Sequence, residues 1–257
     1  MSTFNFNITT PTVSSDTESV IKITGKRNID DNDISFDITT TTHVKRAKLD
    51  NPNSVIYNDK GEFKFANGDI YNGEFKNGKR NGKGEMKYAN GDMYVGEWKN
   101  DEKNGKGEYK YPDGDIYNGE FKNGKRNGKG VMKYANGIIY NGDWKDDEID
   151  GKGEYKYPDG TIYNGEFKND NRNGKGEMKY ANGNIYNGDW KDDEKNGKGE
   201  MKYTDGTIYN GDWKDDKIDG KGEIKLASGT IYDGEFKNGK RNGKGEMRSM
   251  PKDTSRS

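Results

Sequence analysis

The stretch Tyr71-Asn72-Gly73-Glu74-Phe75-Lys76 decides the fold, together with the polar loop Asn77-Gly78-Lys79-Arg80-Asn81, the run Gly82-Lys83-Gly84-Glu85-Met86-Lys87-Tyr88 and the closing Ala89-Asn90-Gly91. In the first segment the odd-numbered residues are aromatic or glycine and the even-numbered ones polar. The second run alternates in the same way with opposite parity. Successive side chains of a strand point to opposite faces, so each segment gathers its large residues on one face and its Lys, Glu and Asn on the other. Asn-Gly tolerates positive φ and is a strong hairpin signal. The unit is a β-hairpin.

Outward from this unit, Tyr71 recurs as Tyr94, Tyr117, Tyr140, Tyr163, Tyr186, Tyr209 and Tyr232. Each opens Y-x-G-x-[FW], and each is followed by G-K-G and a second alternating run. A fixed period of this kind marks a stacked array, in which one unit cannot bury its apolar face alone and its neighbours complete the core. The expected fold is all-β, a single-layer, elongated antiparallel meander of stacked hairpins over residues 57–249. It has a half-repeat cap at 57–68 and eight repeats from residue 69. Glycine inside a strand leaves room for a ring to lie across the backbone, so aromatic residues beside each Gly can cover the sheet without a second layer. Register stays open: Glu74 facing Lys83 or Lys87 is favourable, facing Glu85 is not.

The pattern Y-x-G-x-[FW]-x(6)-G-x-G-x(6)-G, repeated eight times, resembles the MORN (membrane occupation and recognition nexus) repeat. Departures are few: Asp170 replaces a loop Gly, Ile224 and Leu226 replace the Met/Tyr pair, and the last repeat frays at Ser249. The resemblance implies grooves that hold a partner helix or extended peptide, or that mediate self-association, and contact with acidic phospholipids. Physics points the same way for the aromatic face, since contiguous exposed apolar area marks an interaction site. The expected partner-binding residues are Tyr71, Phe75, Tyr94, Trp98, Tyr117, Phe121, Tyr140, Trp144, Tyr163, Phe167, Tyr186, Trp190, Tyr209 and Trp213. The competing reading is that aromatic-on-glycine packing closes this face by itself. The expected function is a non-enzymatic scaffold that binds a protein partner. The alternative is a peripheral module that meets an anionic membrane surface through Lys79, Arg80, Lys125, Arg126, Arg172, Lys240 and Arg241. Acidic loops at 145–150 and 191–194 interleave with the basic ones and cancel their field beyond a Debye length of ~8 Å.

Composition removes other classes. Lys plus Arg number 44 against 45 Asp plus Glu, a net charge of −1 that argues against a surface built to grip nucleic acid. No apolar run approaches the ~20 residues of a membrane-spanning helix. With no Cys and one His, disulfides, thiolate metal sites and multi-histidine sites are excluded, and His-dependent catalysis would rest on His43 alone. Residues 78–84 fall one residue short of a phosphate loop and lack its hydroxyl. Asp146-Asp147-Glu148-Ile149-Asp150-Gly151 begins like a calcium loop but carries Tyr157 at the twelfth position. No catalytic residue, cofactor or metal site is expected.

Residues 1–56 differ from the array. They hold 16 Ser and Thr and three aromatics, and they read as a mostly disordered arm. Within it Ile34, Phe36 and Ile38 alternate like a strand with no visible partner. Lys45, Arg46 and Lys48 resemble a nuclear-import signal, set beside an expectation of an intracellular, chiefly cytoplasmic protein. Residues 250–257 form a polar tail.

Overall fold

The computed structural model describes residues 3–9, 20–26 and 59–249. In the arm, β1 (Thr3–Thr9) and β2 (Val20–Lys26) pair antiparallel, Thr3 opposite Lys26 and Thr9 opposite Val20. Ile34, Phe36, Ile38 and the basic cluster Lys45, Arg46 and Lys48 lie outside the described residues, as do 250–257. From Lys60 to Ser249 the described chain is all strand and turn, seventeen antiparallel strands without a helix. They group into two compact units, one ending at Lys125 and the other starting at Arg126.

In the first unit β3 (Lys60–Lys64), β4 (Ile70–Lys76), β5 (Lys79–Lys87), β6 (Met93–Lys99), β7 (Glu102–Lys110) and β8 (Ile116–Lys122) each pair with the next in chain order. The turn inside the first repeat is the two residues Asn77 and Gly78, at φ 53° and 74°. Positive φ at both positions is the type I′ geometry whose twist matches that of the flanking strands. Between repeats the chain turns through 88–92, where the Gly91 amide donates to the Tyr88 carbonyl at 2.9 Å and Asn90 Oδ1 accepts from the Asp92 amide at 3.0 Å.

The register answers the open question about Glu74. Tyr71 faces Met86, Gly73 faces Gly84 and Phe75 faces Arg80, so Asn81, Gly82 and Lys83 together oppose Glu74 in a bulge. Gly82 takes φ +93° there. Glu85 faces Asn72, and on its other side β5 sets Lys83 opposite Glu97, a favourable cross-strand pair. The bulge recurs in later repeats, for example between Gly165 and Phe167 and between Gly188 and Trp190.

In the second unit β9 (Lys125–Lys133), β10 (Ile139–Lys145), β11 (Glu148–Lys156), β12 (Ile162–Lys168), β13 (Asn171–Lys179), β14 (Ile185–Lys191), β15 (Glu194–Lys202), β16 (Ile208–Lys214), β17 (Lys217–Lys225), β18 (Thr230–Lys237) and β19 (Lys240–Ser249) repeat the same order and register. β19 is exposed along all ten of its residues, as the open edge of a sheet is. The core of both units is the ring-bearing face itself. Tyr71, Tyr94, Tyr117, Tyr140, Tyr163, Tyr186 and Tyr209 are each 0% exposed.

Candidate interaction face

Each repeat builds its core around the opening tyrosine. The Tyr163 ring lies over the pair Gly165 and Gly176, where any Cβ would come within 3 Å of the ring. Its edge meets Phe167 of the same repeat at 5.1 Å and Trp190 of the next at 5.3 Å, both T-shaped. That is the geometry the aromatic quadrupole prefers. The same triplet forms around Tyr71, with Phe75 at 5.0 Å and Trp98 at 5.4 Å. The hydroxyl pins the bulge, since Tyr163 Oη donates to the Glu166 carbonyl there at 3.0 Å, and Tyr186 Oη to Asp189 at 2.9 Å. Tryptophan, where it occurs, donates its indole N–H to a strand carbonyl, Trp190 to Gly176 at 3.2 Å and Trp213 to Gly199 at 3.1 Å.

This packing revises the picture of an open aromatic face. Of the fourteen rings expected to meet a partner, Tyr71, Tyr94, Tyr117, Tyr140, Tyr163, Tyr186, Tyr209, Trp98, Trp144, Trp190, Trp213, Phe121 and Phe167 are all at most 5% exposed, and only Phe75 is half-buried. Neighbouring rings close over each tyrosine from both sides, so these residues form the interior. What stays partly reachable on the same face is a second row, Tyr88 and Tyr111 in the first unit and Tyr134, Tyr157, Tyr180 and Tyr203 in the second, each half-buried. Leu226 continues the row at 41% exposure. These tyrosines stand immediately before the Ala-Asn-Gly or Pro-Asp-Gly turn. The 23-residue period was the signal that could have marked them.

The loop arginines also have structural partners. Arg172 Nε bonds Asp193 Oδ1 at 2.9 Å, its Nη2 bonds the Asp193 carbonyl at 2.7 Å, and the guanidinium lies 4.5 Å above the Trp190 ring. Arg80 holds Asp101 and Trp98 in this way, and Arg126 holds Asp147 and Trp144. All three side chains are about one-fifth exposed. The alternation of basic and acidic loops is thus an inter-repeat clasp, in which a basic loop takes the aspartate of the loop after it. Lys79, Lys125, Lys240 and Arg241 are exposed. Asp170 fits the same scheme, accepting from the Ile149 amide at 2.8 Å. The two sequences that resembled phosphate and calcium loops are tight turns running into strands.

Arg172→Lys keeps the charge but cannot make the forked contact or cover the indole as well. It is expected to cost about 1–2 kcal/mol in urea unfolding, whereas Arg241→Lys, with no aspartate clasp, changes stability by less than about 0.5 kcal/mol. Equal effects of the two would mean that the clasp does not hold repeats together.

Two lysines take the arginine position in other repeats. Lys103 Nζ lies 4.3 Å over Tyr109. Lys195 Nζ sits 5.0 Å over Trp213 and 3.5 Å from Tyr180 Oη, and burial holds its pKa below the usual lysine range against the opposing pull of Asp216. In the bulges burial raises the Asp143 and Asp212 carboxyls, but hydrogen bonds from Lys129 and Lys198 and from the amides of Lys152 and Lys221 outweigh it. Both end below the ordinary value. Among the described residues no group of His, Asp or Glu is arranged to hold a metal ion.

An array of 23-residue hairpins, each with a Tyr-on-glycine core and a Phe or Trp from the next repeat, defines a class of repeat scaffold. The family model for the MORN repeat matches residues 71–93, 94–116, 117–139, 140–162, 163–185, 186–208, 209–231 and 232–251, and the chain belongs to that family. No curated protein matches it significantly. Among solved structures it is similar to the SAS-4 (dCPAP) TCP domain of Drosophila melanogaster, in complex with a proline-rich motif of Ana2 (dSTIL). The identity is 18%, over 82% of this chain and 99% of that one, at a TM-score of 0.37. A catalytically inactive virginiamycin B lyase from Staphylococcus aureus matches at 12% identity, over 99% and 89% of the two chains, with a TM-score of 0.16. At such scores the likeness identifies neither fold nor function.

Proposed function

We propose that this MORN-repeat scaffold binds a protein partner, a helix or an extended peptide, along its ring-bearing face, and that it does so without catalysis. The observation that carries this reading is the row of half-buried tyrosines Tyr134, Tyr157, Tyr180 and Tyr203 on the face whose repeat-opening tyrosines and tryptophans are buried. Tyrosine offers a large, rigid contact area with a polar end at low entropic cost, which suits it to interfaces. The buried rows beneath hold the contact residues in place, and the charged loops set register along the partner.

Affinity capture with the full chain is compared with a Tyr157→Ser, Tyr180→Ser, Tyr203→Ser variant. Partners recovered by the parent chain are expected to be lost with the variant, and retained when the exposed polar-face lysines Lys145, Lys168 and Lys191 are changed to Gln. Recovery of the same proteins by all three would remove the proposal. Salt-sensitive sedimentation with anionic liposomes, lost when Lys79, Lys125 and Lys240 are neutralised, would instead favour the membrane reading.

A further inference from the structure

Three repeats close their hairpin with the same six residues, Phe75-Lys76-Asn77-Gly78-Lys79-Arg80, Phe121-Lys122-Asn123-Gly124-Lys125-Arg126 and Phe236-Lys237-Asn238-Gly239-Lys240-Arg241. The Asn and Gly of each turn take positive φ, 53° and 74°, 51° and 81°, and 48° and 77°. All three are therefore the same type I′ turn. An added Cβ would meet nothing within 4 Å at Gly78, Gly124 or Gly239. Residue order and local backbone are the same at the three sites.

They differ at one amide. The Gly124 N–H donates to the Lys103 carbonyl of the preceding repeat at 2.9 Å, and the Gly239 N–H to the Ile218 carbonyl at 2.8 Å. Other repeats make the same bond from an aspartate amide, as Asp147 does to the Arg126 carbonyl at 3.0 Å. Gly78 belongs to the first repeat, and among the described residues nothing accepts from its amide. Residues 76–79 are all exposed, whereas Gly124 is half-buried. The Asn-Gly pairs between repeats are held at both residues. The Gly91 amide donates to the Tyr88 carbonyl at 2.9 Å while Asn90 Oδ1 accepts from the Asp92 amide at 3.0 Å, and Asn182-Gly183 repeats both contacts.

We propose that Asn77 is a site of spontaneous deamidation, set apart from its sister turns by the Gly78 amide. Glycine has no side chain to shield its own nitrogen, so an Asn-Gly pair can close on itself. The Gly78 nitrogen attacks Asn77 Cγ and gives up its proton to solvent, an N–Cγ bond forms, and the side-chain nitrogen takes a proton and leaves as ammonia. The resulting succinimide takes up one water at either carbonyl and opens to aspartate or isoaspartate. The sum is one amide and one water to one carboxylic acid and ammonia, with nothing oxidised or reduced. A glycine N–H bonded to a carbonyl fixes its peptide plane, and the nitrogen cannot turn towards Cγ until that bond breaks. Lys76 and Lys79, opposed across the turn, set positive charge beside the oxyanion that forms at Cγ. The aspartyl product stands between these lysines, where the seventh repeat carries Asp215 between Lys214 and Lys217. The isoaspartyl product lengthens the backbone of a two-residue turn whose twist suits the hairpin, and loosens it. No residue of the tyrosine row takes part, so the proposal stands apart from the partner reading.

The test is a time course of the full chain in heavy-oxygen water at neutral pH, run once folded and once unfolded in urea. Cleavage before aspartate gives distinct peptides, 69–91 for Asn77 and 115–142 for Asn123. Fragmentation in the mass spectrometer then places the incorporated oxygen at one residue. In urea the two asparagines are expected to convert at equal rates, because their neighbours in sequence are the same. In the folded chain Asn77 is expected to convert at least about fivefold faster than Asn123, the factor that one hydrogen bond supplies. Equal rates at the two sites in the folded chain, or the same ratio in urea as in the folded chain, would overturn the proposal.

Discussion

Raised from pH 10 towards pH 12, the array is expected to lose its strand structure in one steep step, with phenolate appearing in the same step. Burial pushes the Tyr71 hydroxyl up to about 12, with the Arg80 charge pulling the other way, and drives Tyr94, Tyr140, Tyr163, Tyr186 and Tyr209 higher still. All six rings are 0% exposed. Tyrosine is neutral when protonated, so a raised folded pKa means that the unfolded chain releases its protons first, near the ordinary value of 10.0. The contribution of these groups is therefore complete below pH 10 and is lost as pH rises through the folded values. Each group adds a slope of about 1.4 kcal/mol per pH unit. Six together remove a stability of the usual 5–15 kcal/mol within roughly one to two units. Phenolate absorbance and far-ultraviolet circular dichroism, followed on one sample, are expected to change together. Six tyrosines ionising near pH 10 while the strand signal persists would show that the rings are not interior.

The second large effect concerns the glycine pair under each ring. At Gly165 a Cβ would lie 2.6 Å from the Gly176 Cα, a contact with backbone that no side-chain rearrangement relieves. Gly165→Ala is expected to cost more than about 3 kcal/mol, because overpacking forces apart the two strands on which Tyr163 and the next repeat rest. Gly160 offers the contrast. It sits in a turn at φ +92° with nothing within 4 Å of an added Cβ, so Gly160→Ala meets only the left-handed backbone penalty of about 1–2 kcal/mol. Urea unfolding of the two variants separates the readings. Equal costs would mean that the strand glycines serve flexibility alone and not close approach.

Much of this is legible from residue order. The eight-fold recurrence of Tyr71, the alternation on either side of the loop and the strand glycines point to an antiparallel array of hairpins with rings laid over glycine. Both features are present. Two things are not legible, for a physical reason they share. Whether Trp190 closes over Tyr163 depends on the inter-repeat register, and so does whether Arg172 reaches Asp193, twenty-one residues away. That register pairs Gly174 with Trp190 and Met178 with Tyr186 between β13 and β14, and neither strand's own alternation specifies it. An open ring face and a closed one are written with the same residues. The row at Tyr157, Tyr180 and Tyr203 recurs with the same period, but alternation alone sets it on the ring-bearing face with the buried tyrosines and does not tell which of the two rows the neighbouring repeats close over.

The ring rows are the interior of the protein. Intrinsic tryptophan fluorescence tests this most directly, because the four tryptophans are 4–5% exposed and each stands in one of those rows. Blue-shifted emission that resists quenching by acrylamide until the chain unfolds is the expected result. Water-like emission, freely quenched while the strand signal is intact, would contradict it.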